Sequence, residues 1–105
     1  MKVQQLINSR GNATANQFII TDGNTITFQS YKSIIAVMKS YPDLCITFGK
    51  DWDYSKTTMK HLNTFLKDYC NLDIQGANNI RKAIKRGHTT SYSLQIDVVY
   101  DPEMQ

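Results

Sequence analysis

Apolar positions along this chain follow two different periods. In the first half they recur every second residue, the spacing of a half-buried strand. Gln17 to Ser30 (QFIITDGNTITFQS) places two β-branched, apolar-rich runs on either side of Asp22-Gly23-Asn24, the signature of a hairpin. A two-residue loop that pairs Ile20 with Thr25 and Phe18 with Thr27 would set apolar groups against polar ones. A three-residue loop instead pairs Ile20 with Ile26 and Phe18 with Phe28 on one face, so that loop is expected, with Asn24 taking the left-handed conformation. Ser33 to Lys39 (SIIAVMK) reads as a further strand, with a single amphipathic helical turn as its competitor. After a turn at Tyr41-Pro42-Asp43, Leu44 to Phe48 (LCITF) reads as another.

From Ser55 the period lengthens. Met59, Leu62, Phe65, Leu66 and Tyr69 fall on one face of a helix that Ser55 can cap, and Lys56, Lys60, Asn63 and Lys67 fall on the other. A second, shorter helix is expected to start at Asn78 or Asn79, to turn Ile80, Ala83 and Ile84 inward, and to stop at Gly87. Its outer side carries Arg81, Lys82, Lys85 and Arg86. Ser91 to Tyr100 (SYSLQIDVVY) returns to period two, with Tyr92, Leu94, Ile96, Val98 and Tyr100 on one side. These elements predict an α+β fold: an antiparallel β-sheet of four to five strands with two α-helices packed on one face, in a single domain over residues 1–105. The last strand holds only Asp97 against an exposed edge, so pairing of two copies into a homodimer is a further expectation.

Composition narrows the function classes. With 41% hydrophobic residues among 105, the chain can bury one core without staples. Its first ten residues lack the apolar stretch of a signal peptide, and no run is long enough to span a bilayer, so a cytoplasmic protein with no membrane partner is expected. Cys45 and Cys70 are then expected to be free and buried. The net charge of +3 is unevenly spread: residues 1–54 carry five basic and four acidic side chains, residues 55–91 seven and two, and residues 92–105 none and three. A basic middle and an acidic end follow.

No catalytic constellation emerges. His61 and His88 lack partners at metal-ligand spacing, and neither a GxSxG turn nor a phosphate-cradling glycine loop occurs, so no enzyme, metal or cofactor is expected. Asp51 and Asp53 form the only close acidic pair. They could hold Mg²⁺, but two carboxylates ahead of a helix are more simply read as favourable charges at its N-terminus. Two candidate binding surfaces are left. Arg81, Lys82, Lys85 and Arg86, joined by Lys56, Lys60 and Lys67, could meet phosphates by displacing counterions, with a solvated helix face as the plain alternative. Trp52 and Tyr54, with Lys56 and Lys60 beside them, could anchor a protein partner, although a sole Trp at a strand-to-helix junction is more often core.

Several separated motifs carry a resemblance. Gly11-Asn12-Ala13, Asn16-Gln17-Phe18-Ile19-Ile20, Phe28-Gln29-Ser30-Tyr31, Ser33-Ile34-Ile35-Ala36 and Trp52-Asp53-Tyr54-Ser55-Lys56-Thr57-Thr58, followed by Leu62, Phe65 and Leu66, resemble small proteins encoded by phages and integrative elements of Gram-positive bacteria. The similarity runs over roughly residues 10 to 86 and brings no catalytic residue to carry over; the acidic segment after Ser91 lies outside it. It implies a mobile-element gene product in a bacterial host cell. An anti-CRISPR-like inhibitor that binds a host RNA-guided nuclease is the first expectation from it, and a small nucleic-acid-binding accessory protein is the second. A net basic chain argues against mimicry of DNA.

Overall fold

The chain's computed structural model describes residues 1–104. Seven strands form one sheet: β1 (Lys2–Ile7), β2 (Ala13–Asp22), β3 (Thr25–Ser30), β4 (Ser33–Lys39), β5 (Cys45–Phe48), β6 (His88–Ser91) and β7 (Leu94–Tyr100). Between β5 and β6 come α1 (Lys56–Thr64), a π-helical turn that extends it (Phe65–Tyr69) and α2 (Ala77–Arg86). The α+β class is as expected, but the sheet has seven strands rather than four to five. It is also not wholly antiparallel. The order is β1-β2-β3-β4-β5-β7-β6, and β7 runs parallel to β5 because the intervening helices carry the chain back before it re-enters the sheet.

The two additional strands lack the pattern that would mark them. In β1 only Leu6 is buried, and Gln4 and Gln5 interrupt the apolar alternation. β6 is His88-Thr89-Thr90-Ser91, a strand only through its pairing with β7. Tyr92 and Ser93 both adopt positive φ (50° and 69°), as a type I′ hairpin turn demands, and they cut the expected strand Ser91 to Tyr100 short at its start. Of the five residues expected to face inward there, Ile96 and Val98 are buried, while Tyr92, Leu94 and Tyr100 are exposed. Nor is the last strand an edge. β7 lies between β5 and β6, so the dimer contact expected along it has no free strand to use. The true edges are protected: β6 has four residues and β1 carries a bulge between Gln5 and Ile7.

The β2–β3 hairpin also departs from expectation. Asp22 pairs with Thr25 across a two-residue turn of Gly23 and Asn24, and Gly23, not Asn24, takes the positive φ, 58°. Glycine at that first turn position suits the II′ geometry whose twist matches the strands. The resulting register opposes Ile19 to Phe28 and leaves Phe18 opposite Gln29. Ile19 and Phe28 continue through Ala36 and Phe48 as one fully buried row across four strands. A parallel row of Ile26, Met38, Ile46 and Val98 lies beside it. On the other face Val3, Ile20, Thr27, Val37, Thr47 and Val99 oppose one another in sequence, all β-branched and all at least partly exposed.

The helices cover the first face. Ser55 caps α1 as expected, its Oγ accepting from the Thr58 N–H at 3.0 Å. Leu62, Phe65 and Leu66 are fully buried, and the Phe65 ring stacks on Phe28 with centroids 5.7 Å apart. The π-helical turn brings Tyr69 to the sheet edge, where its hydroxyl accepts from the Ile7 N–H at 2.9 Å. Asn71 at φ 54° and the Leu72 N–H to Leu66 carbonyl bond then close the helix through a left-handed residue, in a turn one residue wider than an α-helical end because the last turn is π-helical. α2 starts earlier than either asparagine implied. Gly76 is its N-cap, held by donation from its N–H to Asn63 Oδ1 at 2.9 Å, so Asn63 ties the two helices together rather than facing solvent. Gly87, in the left-handed conformation, ends α2 as expected.

Two positions have measurable consequences for stability. Gly49 leaves β5 against the start of β4, and a β-carbon there would run into the backbone carbonyl oxygen of Ile34. Backbone, unlike a side chain, cannot swing away, so Gly49→Ala should lose about 1–3 kcal/mol of stability in a denaturant titration. His61 is buried and its Nδ1 makes no hydrogen bond. Burial, and secondarily Lys60, pull its pKa below the usual histidine value, which keeps it neutral in the fold. The unfolded chain takes up that proton near pH 6.5 and the folded chain only at lower pH. Stability is therefore full above about pH 6.5 and falls as pH drops below it. Denaturation midpoints at successive pH values should trace this loss, and His61→Leu should flatten it.

Candidate functional site

The outer face of α2 forms from one periodic fact: Ile80 and Ala83 turn inward, so the intervening positions turn out. Arg81, Lys82, Lys85 and Arg86 are all exposed, and one turn apart they form two adjacent stripes, Arg81 with Lys85 and Lys82 with Arg86. Lys85 and Arg86 lie in the last turn, where the helix dipole favours cations. The four are not equivalent. Arg81 sits 3.6 Å from the Asp53 carboxylate, donates to Asn78 Oδ1 at 3.2 Å, and holds its guanidinium 5.5 Å from the centre of the Trp52 ring. Among the described residues that is the only ion pair, so Lys82, Lys85 and Arg86 are not held by a carboxylate at contact distance. Lys82 and Arg86 border a shallow hollow of about 330 Å³ with Asp73, Asn79 and Thr89.

Trp52 takes the core role that its position suggested. It is 5% exposed and packs against Phe48 with centroids 6.0 Å apart, so its indole supports Arg81 from beneath instead of meeting a partner directly. Tyr54 is 78% exposed, and Lys56 and Lys60 lie exposed one turn apart on α1. Asp51 and Asp53 bond elsewhere than at the helix end: Asp51 Oδ2 accepts from Ser33 Oγ at 3.0 Å and Asp53 pairs with Arg81, while the cap is Ser55. Among the described residues no three His, Cys, Asp or Glu side chains gather as metal ligands. Both cysteines are free and half-buried, and burial pushes the Cys70 thiol up to about 12, which leaves it without a reactive thiolate at neutral pH. No helix among the described residues is long and apolar enough to cross a membrane.

One concavity was not visible in the sequence. A cleft of about 580 Å³ opens at the N-terminus of α1, and residues from β2, β4 and the β3–β4 turn meet Asp51 and Tyr54 there. Its residues are far apart in the chain, and only the β2–β3–β4 meander brings them together.

Residues 1–93 match the model of a family of unknown function, DUF8033, and the chain belongs to that family. The match ends in the Tyr92-Ser93 turn, so β7 and the acidic residues Asp97, Asp101 and Glu103 lie beyond it. Neither a curated protein nor a solved structure matches the chain.

Proposed function

We propose that this member of DUF8033 is a non-enzymatic binding protein of a phage or mobile element, acting in the bacterial cytoplasm as a stoichiometric, anti-CRISPR-like inhibitor of a host RNA-guided nuclease. The observation that carries the proposal is the exposed cationic face of α2, on which Lys82, Lys85 and Arg86 have no acidic partner. Such a face fits a phosphate-bearing surface, and a guide-loaded nuclease offers one in its guide RNA. Tyr54, Lys56 and Lys60 on the neighbouring loop and helix extend the contact to protein. The choice of partner comes from the sequence resemblance; the choice of surface comes from the charge. A basic face opposes the other common route, imitation of DNA by dense acidic groups.

Direct binding to nucleic acid is the second reading, favoured by the same three unpaired cations. One experiment separates the two. Each guide-loaded nuclease of the host is titrated with the purified chain, and the free guide and target strands are titrated in parallel. Inhibition should be complete near one equivalent and should be lost when Lys82, Lys85 and Arg86 become Ala. Full cleavage at large excess, with tight binding to free strands, would reject the inhibitor in favour of the second reading.

A further inference from the structure

The helices cover the sheet face that carries Ile19, Phe28, Ala36 and Phe48, and the opposite face has none on it. Three rows of side chains cross that open face. The middle row is Val3, Ile20, Thr27, Val37, Thr47 and Val99, in register from β1 to β5 and on to β7. Every member is β-branched, and Val3 and Val99 are 56% and 44% exposed. Beside it on one side lie Phe18, Gln29 and Ile34. On the other side lie Asp22, Thr25 and Lys39, followed by Cys45 and Asp97. An apolar centre with a charged margin is the layout of an interface, and a patch of this extent marks a contact surface.

The charges on the margin decide what covers it. Asp22 and Lys39 are both exposed, and neither has an ion-pair partner among the described residues. Asp22 on β2 and Lys39 on β4 flank Thr25 of β3 from opposite sides. In the same way β3 lies midway between Ile20 and Val37, and between Phe18 and Ile34. A second copy turned over about an axis along β3 completes each of these pairs across the gap. Asp22 then meets the partner's Lys39, Ile20 meets the partner's Val37, and Phe18 meets the partner's Ile34, each contact occurring twice. Thr25, Thr27 and Gln29 fall on the axis and meet their own counterparts. Neighbouring axes fail this test. One along β4 sets Lys39 against Lys39 and Asp22 against Asp97, like charge on like, and one along β5 joins Lys39 to Asp97 but leaves Val3, Phe18 and Ile20 uncovered.

We propose that the open face of the sheet is a homodimer interface, in which two copies pack sheet on sheet about a two-fold axis along β3. Strands β1 to β5 meet in it. At about 4.8 Å per strand and about 3.3 Å per residue, their shared face measures about 24 by 18 Å. Two such faces with their side-chain relief bury about 1,000 Å², the lower bound of a specific interface, so the dimer forms at micromolar concentration and not below. Both α2 faces point outward on opposite sides of the pair. The contact therefore neither requires nor blocks the binding proposed for them.

The test is sedimentation equilibrium of the intact chain from about 1 µM to about 1 mM, over which monomer should convert to dimer. A strict monomer at about 1 mM overturns the proposal. Val37→Lys puts a charge into the middle row and should abolish the dimer, with the Phe28 and Phe65 ring signals in nuclear magnetic resonance reporting that the fold is kept. Unchanged dimerisation of that variant overturns the proposal as well. The axis is tested by charge reversal. Asp22→Lys or Lys39→Asp alone sets like charges together at both contacts and should weaken the dimer at least about tenfold. An equimolar mixture of the two variants restores opposite charges at both contacts, so a dimer of native strength should return. Failure of the mixture to associate, or recovery of Lys39→Asp by Asp97→Lys instead of Asp22→Lys, overturns the two-fold arrangement along β3.

Discussion

Replacing Phe65 with alanine is expected to lower stability by about 3–5 kcal/mol, more than any other single substitution proposed for this chain. Phe65 is fully buried, and its ring stacks on Phe28 at 5.7 Å and on Tyr69 at 6.5 Å. Those partners are a fully buried residue of β3 and the residue that holds β1 through the Ile7 N–H. Truncation therefore removes the ring's own burial and its aromatic stacking and leaves a cavity between helix and sheet. A domain of this size has about 5–15 kcal/mol in total, so the variant should be marginal at room temperature. Urea unfolding should show a lower midpoint with an unchanged slope. Phe65→Leu, which fills most of the space, should lose distinctly less. A loss under about 1 kcal/mol for Phe65→Ala would mean that the helix layer does not pack on Phe28 as described.

The second large effect concerns binding. Changing Arg81, Lys82, Lys85 and Arg86 together to alanine should weaken association with a phosphate-bearing strand by about 10²–10³-fold at 0.1 M salt. The magnitude follows from counterion release, in which each phosphate neutralised on a single strand adds about 0.7 to the slope of log affinity against log salt. Without the four cations the slope should therefore be shallower by about 3. The fold should survive, since all four side chains are exposed and alanine is the best helix former. Arg81 should contribute least of the four because Asp53 already offsets its charge.

The parts of this fold that were legible in the sequence are those where one face is wholly buried. The Met59 to Tyr69 stripe, the Ser55 cap and the Gly87 stop each have a local cause, and each is found where the pattern put it. What escaped depends on partners distant in the chain. β6 is polar throughout and exists because β7 pairs with it; β7 becomes parallel to β5 because two helices intervene. The β2–β3 register differs from the one that apolar matching favours, because Phe18 belongs to the other face of the sheet from Phe28 and the glycine-first turn fixes the pairing. For the site, helical periodicity located the α2 cations, but not that Asp53 and Trp52 would engage Arg81. The cleft at the start of α1 was not legible as a site: Gln17, Tyr31 and Ser33 fall in separate motifs of the resemblance, and they meet Asp51 only when the meander folds.

Whether the α2 face meets phosphates is tested most directly by the salt dependence of binding. Association of the native chain with a single-stranded RNA and with a guide-loaded nuclease is measured from about 0.05 to 0.3 M salt. Log affinity should fall linearly with log salt, with a slope of about −2 to −3, as the neutralisation of three or four phosphates requires. A slope near zero for both partners would contradict a phosphate-binding role for α2.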